Sequence, residues 1–271
     1  MREVFHLGDG DRWLFAVEYR PPGPPIGGVV LAPPFAEEMN RCRRQVAEAA
    51  EAFAEAGFLV LAIDLFGTGD SAGDFLDASW EGWTSDLEAA WTWMESKVQG
   101  PVVVWGVRAG ALLAIDWLRK HGRSAPLLFW QPVAEGRTAL GGFLRIQTGA
   151  RVVGGSGSGG SSADARTALD RGESVRVGGY GLTNRFTGGL GSASCLPAPA
   201  TAGPIAVFEV GPNAQDGVSV ALTRVVEAWR AEAHDVRTAT CAGPRFWMTQ
   251  EIEVVPELTT LSRDFLLSVA S

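Results

Sequence analysis

Cysteine and histidine are both scarce in this chain, with three of each among 271 residues. Cys42, Cys195 and Cys241 cannot all pair and stand at no metal-ligand spacing, which excludes a disulfide framework and offers no zinc motif. Positive charge is short as well. Lys and Arg total 23 against 31 Asp and Glu, a formal net charge of −8, with no basic cluster dense enough to reverse it locally. Nucleic acids and anionic membrane surfaces are held largely by excess positive charge, so neither is an expected partner. Long apolar runs are missing: none approaches the ~20 residues of a membrane span, so no membrane insertion is expected. The opening Met1-Arg-Glu-Val-Phe-His6 lacks the apolar centre of a secretory signal, and with the unpaired cysteines this points to the cytoplasm. No metal and no cofactor is expected.

What is present is ordinary globular composition, 46% hydrophobic and 20% charged, which excludes wholesale disorder. Short β-branched runs alternate with amphipathic segments. Val4–Leu7 and Trp13–Tyr19 read as an antiparallel pair across Gly8-Asp-Gly-Asp11. Strands are expected at 28–32, 58–63, 101–105, 126–130, 204–210 and 236–242. Helices are expected at 37–56, 79–98, 109–121, 139–148, 218–233 and 256–269. Strands alternating with helices imply an α/β fold, a mostly parallel sheet with helices on both faces, in one domain spanning 1–271.

Residues 149–203 interrupt the rhythm after the sixth strand. Gly154 to Ser162 is an unbroken run of Gly and Ser, and the rest is Gly-, Ala- and Pro-rich with one short helix expected at 163–171. The stretch reads as a flexible insertion: a surface excursion, a lid over a site, or a Gly/Ser splice in place of a longer loop.

Ligands of open parallel sheets sit beyond the carboxyl ends of the strands. That edge carries Phe35, Glu37, Glu38, Arg41, Asp64, the 106–110 turn, Gln131, Glu209 and Trp247. His6 falls in the opening antiparallel pair, His121 ends a helix running the other way, and His234 precedes a strand. None stands where a general base would be needed.

Trp105-Gly106-Val107-Arg108-Ala109-Gly110 joins a strand to a helix, the context of the G-x-S-x-G nucleophile elbow. Both glycines are there, with Arg108 between them. With Ala32-Pro-Pro-Phe-Ala-Glu-Glu-Met-Asn-Arg41 at an oxyanion-loop position and Asp64-Leu-Phe-Gly-Thr-Gly-Asp-Ser71 as a D-x-x-G-x-G-x-S turn, the chain resembles the α/β-hydrolase superfamily. More narrowly, the Pro-Pro-Phe-Ala-Glu-Glu-Met-Asn-Arg-Cys-Arg-Arg stretch and the arginine-bearing elbow resemble the second type of exosortase A system-associated hydrolases. That resemblance implies a cytoplasmic bacterial protein encoded beside exopolysaccharide and protein-sorting machinery, with a hydrolase label.

Carried over residue by residue, the superfamily's serine falls on Arg108, which stays protonated and cannot be a nucleophile. The superfamily's histidine follows the last strand, where this chain reads Ala242-Gly-Pro-Arg-Phe-Trp-Met-Thr-Gln-Glu251. The acid would be Glu209 or Asp216. Two of three triad members are missing, which closes the Ser-His-Asp route. A helix N-terminus and an arginine fork both suit an anion. The expected ligand is therefore a small anionic or acyl-bearing molecule, touching Arg108, Phe35, Ala36, Glu37, Arg41, Ala109, Trp130, Gln131 and Trp247. Two alternatives stand beside it. Arg108 pairs with Glu37, Glu38 or Glu209 and plugs the site, or a carboxylate among Glu37, Glu38, Asp64, Glu209 and Glu251 activates water while Arg108 stabilises the anion. The Asp64–Ser71 turn reads as structural, Cys42 as a structural thiol, and Arg41, Arg43 and Arg44 as needing partners such as Glu37 and Glu38 or an anion.

Overall fold

The computed structural model describes residues 1–153, 162–199, 202–213 and 217–271. The chain opens with an antiparallel pair, β1 (Arg2–Leu7) and β2 (Leu14–Tyr19), then β3 (Gly27–Ala32), α1 (Ala36–Glu55) and β4 (Phe58–Ile63). Next come α2 (Trp80–Glu95), β5 (Val102–Val107), α3 (Gly110–His121) and β6 (Ala125–Trp130). A cap follows: α4 (Gly136–Val153), α5 (Ser162–Asp170), the hairpin β7 (Val175–Val177) and β8 (Tyr180–Leu182), and α6 (Asn184–Ser192). The chain ends with β9 (Ala202–Gly211), α7 (Val220–Ala231), β10 (Val236–Ala242) and α8 (Pro256–Ala270).

Eight strands form one sheet in the order β1-β2-β4-β3-β5-β6-β9-β10. β1 and β2 pair antiparallel, as do β2 and β4, and every neighbouring pair from β4 to β10 is parallel. Strand alternation divides the core in two. Val30, Val102, Val104 and Phe129 face α2, α3 and α7, whereas Val29, Leu31, Val103, Trp105 and Trp130 face α1 and α8. Both faces being covered, β3 and β5 are buried along their whole length, which is why they read as continuous apolar runs. The strand order reverses about β3: α1 leads to β4 on one side, and the chain later returns as β5 on the other. The crevice above that switch point is the expected ligand position.

Within the 149–203 stretch the short helix expected at 163–171 is present as α5 (Ser162–Asp170), and the described residues after it carry a hairpin and a further helix that were not expected. Gly154 to Ser161 lies outside the described residues. From 163 to 199 the chain is folded onto the body, with Leu182, Phe186, Leu190 and Cys195 fully buried. Phe186 sits edge-on against Trp83, with ring centroids 4.6 Å apart, and Trp229 Nε1 donates to Cys195 O at 2.9 Å. The sequence signal was weak because β7 and β8 are three residues each, too short to show a period. α6 contains Gly188, Gly189 and Gly191, so packing rather than intrinsic propensity holds it. Helix α4 is also longer than expected, beginning at Gly136.

Candidate functional site

The carboxyl ends of β3, β5 and β6 meet at one place, and the backbone is strained at each. Ala36 (φ 54°), Arg108 (φ 56°) and Gln131 (φ 43°) are three of the four described non-glycine residues in the left-handed region, a conformation that costs on the order of 1–2 kcal/mol per residue and clusters at sites. At the elbow the strain has a steric cause. A Cβ on Gly110 would lie 2.0 Å from Ala32 O, and one on Gly106 would lie 2.7 Å from Ala111 Cα. The turn packs so closely on β3 and on its own helix that only glycine fits at either end, and Arg108 is thrust out at the apex.

The Arg108 side chain is gripped from three sides. Its Nε and Nη2 donate to the same oxygen, Glu38 Oε1, at 3.1 and 2.8 Å. Nη1 donates to Gln131 O at 3.0 Å, and the guanidinium carbon stands 5.1 Å from the Trp247 ring centroid, within cation–π range. Gln131 is itself fixed: its Nε2 donates to Glu209 Oε1 at 2.8 Å and its Oε1 accepts from Val210 N at 2.8 Å. Glu209 Oε2 in turn accepts from Ser219 N. Trp247 lies in the loop after β10, so the Arg108–Trp247 contact stands where the resemblance places a serine and a histidine.

Above Arg108 is a cavity of about 380 Å³. Phe35, Val133, Ala139, Phe143, Trp247 and Met248 supply its apolar wall, while Glu37, Glu38, Arg41, Arg108 and Arg145 bring charge. Glu37 is held from the cap, since Tyr180 Oη donates to its Oε1 at 3.1 Å. Burial and the neighbouring Glu37 charge push the Tyr180 phenol up to about 12. Arg41 Nη1 donates to Met248 O, tying α1 to the loop that carries Trp247.

Of the residues expected at the site, Arg108, Phe35, Glu37, Arg41 and Trp247 line the cavity. The others are placed differently. Trp130 is fully buried against α8, its Nε1 donating to Ser262 Oγ at 2.7 Å; it shares a core layer with Trp247 but does not line the cavity. Ala36 and Ala109 are buried and do not line the cavity. Gln131 serves through its carbonyl, as an acceptor for Arg108. Glu209 is buried and spent on Gln131 and Ser219, and Glu251 is exposed on the loop beyond β10 and does not line the cavity. Neither is positioned to activate water. Asp216 lies outside the described residues.

The basic run at α1 also finds partners other than those expected. Arg43 reaches Asp64 at 3.4 Å and Arg44 pairs with Glu48 one turn on. Cys42 is buried, and burial pushes its thiol well above the ordinary range. None of the three histidines lines the cavity: His6 stacks on Trp13 at 4.0 Å, His121 stands 3.8 Å from Glu88, and His234 precedes β10. Sequence reasoning missed Val133, Thr138, Phe143, Arg145, Met248 and Tyr180. Ala139, Gly142 and Phe143 stand at i, i+3 and i+4 on α4, a signal that could have marked one face of that helix. Among the described residues, no group of three or more His, Cys, Asp or Glu could hold a metal ion, and no helix is long and apolar enough to cross a membrane.

Residues 23–148, just under half of the chain, match the family model described as serine aminopeptidase, S33. No curated protein matches the sequence. Solved structures match along almost all of it. A thermostable carboxyl esterase from Bacillus coagulans, in complex with glycerol, superposes with a TM-score of 0.64 at 16% identity, over 100% of this chain and 99% of that one. Est1E from Butyrivibrio proteoclasticus, with ferulic acid bound, gives 0.66 at 14% identity over 98% of each chain. A lidless α/β serine hydrolase from Xanthomonas campestris gives 0.59 at 13% identity, over 98% of this chain and 94% of that one. The chain therefore has the α/β-hydrolase fold, and its structural neighbours are α/β serine hydrolases.

Proposed function

We propose that this protein binds a small acyl-bearing anion in the cavity above its elbow and does not form an acyl-enzyme. One observation carries the reading. Arg108 occupies the apex of an intact elbow at φ 56°, under Trp247 and facing a 380 Å³ cavity. The backbone device that presents a nucleophile is kept, and the group presented is a cation. A guanidinium with aromatic and aliphatic walls suits a ligand that is part carboxylate and part apolar. The ferulic acid in the Butyrivibrio structure is an aromatic carboxylic acid of that general kind. The arginine-bearing elbow and the Pro33–Arg44 stretch support the exosortase A system-associated type, and with it a cytoplasmic role and a ligand linked to exopolysaccharide or protein sorting. The net charge of −8 supports a partner other than nucleic acid.

The test is twofold. A fluorophosphonate probe and a panel of short p-nitrophenyl esters are expected to give neither labelling nor turnover. Octanoate is expected to raise Tm in the native protein and to leave Arg108→Ala unmoved. Ester turnover that disappears in Arg108→Ala would replace this reading with carboxylate-activated water and Arg108 as the anion stabiliser. Turnover indifferent to Arg108 would move the site elsewhere.

A further inference from the structure

We propose that Glu38 is an internal ligand of Arg108, sitting where the carboxylate of an acyl anion sits when bound, so that Glu38 sets the cavity's selectivity between charged and uncharged ligands. The inference rests on the binding reading above and sharpens it to a carboxylate that must displace Glu38.

The geometry of the pair carries the argument. Both hydrogen bonds between Arg108 and Glu38 run to one oxygen, Oε1 of Glu38. An arginine–carboxylate pair is strongest when two N–H groups meet two oxygens, so the present clasp leaves room for a better one. Both side chains line the cavity and are partly reached by solvent, 18% for Arg108 and 27% for Glu38. Exchange therefore needs no unfolding. Arg108 does not depend on Glu38 for its place, because Gln131 O, the Trp247 ring and the elbow backbone hold it from other directions. Gln131 is in turn fixed by Glu209 and Val210.

The displaced state is also tolerable for Glu38. It lies in the first turn of α1, where the helix N-terminus favours a carboxylate even when its side chain swings into water. Glu37, the neighbouring carboxylate, is bonded to Tyr180 and is not available to take over the seat. Arg41, the other α1 cation at the cavity, is engaged by Met248 O. Arg145 brings a further positive charge to the same cavity, and the exchange proposed is the one at Arg108, where the internal anion is Glu38.

The experiment measures the binding of octanoate and of 1-octanol by titration calorimetry in the native protein, Glu38→Gln, Glu38→Ala and Arg108→Ala. Removing the internal competitor should tighten octanoate about tenfold in both Glu38 variants, the scale of one charge-assisted hydrogen bond, with 1-octanol unchanged. Octanoate binding only in the Glu38 variants would support the proposal equally. Arg108-dependent octanoate binding that weakens or stays the same in Glu38→Gln would overturn it, making Glu38 a positioning residue while the binding reading stands. Failure of both probes in every folded protein would remove the binding reading and this inference together. Glu38→Gln keeps an acceptor oxygen for Arg108, so its melting curve separates misfolding from a change in affinity.

Discussion

Two sharp turns flank β3 at the carboxyl edge of the sheet, one after β4 and one after β5, and they spend their polar groups in opposite ways. In the Asp64–Ser71 turn the side chains are turned onto the backbone. Asp64 Oδ2 accepts from Asp70 N at 3.0 Å, and Ser71 Oγ donates to Asp64 O at 2.5 Å while accepting from Phe15 N at 2.8 Å. Close glycine packing serves both turns, since a Cβ on Gly67 would lie 2.5 Å from Asp74 O just as one on Gly110 would lie 2.0 Å from Ala32 O. In the elbow it acts without the side-chain hydrogen bonds that close the other turn. That leaves the side chain at the apex with no duty to the turn. A turn closed by side-chain hydrogen bonds constrains which residues may stand in it, whereas a turn closed by packing alone leaves its apex open to change. An arginine at the apex of this elbow is thus compatible with the fold.

Substitutions can break this contrast, beginning with the largest expected effect. Gly110→Val drives a side chain into Ala32 O and should cost about 3 kcal/mol or more, seen as a large loss of denaturation midpoint. A mild effect would mean that the elbow is held by something other than close packing. Ser71→Ala should come next at about 2 kcal/mol, because the Phe15 N–H loses its partner inside the structure. Chemical denaturation would measure it, and a near-zero cost would remove the distinction between the turns.

Tyr180→Phe should cost about 1 kcal/mol through the lost hydrogen bond to Glu37. Its pH dependence has a definite sign. The folded pKa is raised, so the contribution of this phenol is complete below pH 10 and is lost as pH rises through about 12. Absorbance at 295 nm should show the Tyr180 transition near 12 in the native protein and lack it in the variant.

Arg108→Ala should change stability by no more than about 1 kcal/mol, since its pair with Glu38 is partly open to water, while abolishing octanoate binding. At the other turn, Arg43→Ala should cost less than about 0.5 kcal/mol by denaturant titration, because Arg43 is half-exposed and 3.4 Å from Asp64. A larger loss there would show that the β4 turn also depends on its arginine.

Much of the fold was legible in the residue order. The apolar runs that became β3, β4, β5 and β6 are bounded by Gly, Pro or Asp, and the helices between them carry apolar residues at helical spacing, so length and period agree. In the cap, α4 and α5 were legible as the expected helices at 139–148 and 163–171, whereas the hairpin and α6 were not, because the hairpin strands are three residues each and α6 is glycine-rich. Those segments take their form from Phe186, Leu182 and Leu190 packing against the aromatic side chains of the body. The site was legible in part. Motif position alone marked Arg108 and the loop containing Trp247, whereas Phe143 and Tyr180 come from the cap and could not be assigned to the cavity.

Local sequence determined that the elbow would form, that its apex would be a permanent cation, and that no histidine would stand near it. Each of these depends on residues adjacent in the chain or on the edge of the sheet an element ends at. Only the tertiary structure decided that Arg108 pairs with Glu38 rather than Glu37 or Glu209, that Glu209 braces Gln131, and that Trp130 faces α8 while Trp247 faces the cavity. Those outcomes turn on which side chains converge at distances of about 3–5 Å from separate elements. Hydrogen bonds and ring contacts fall off within that range, and sequence spacing does not measure it.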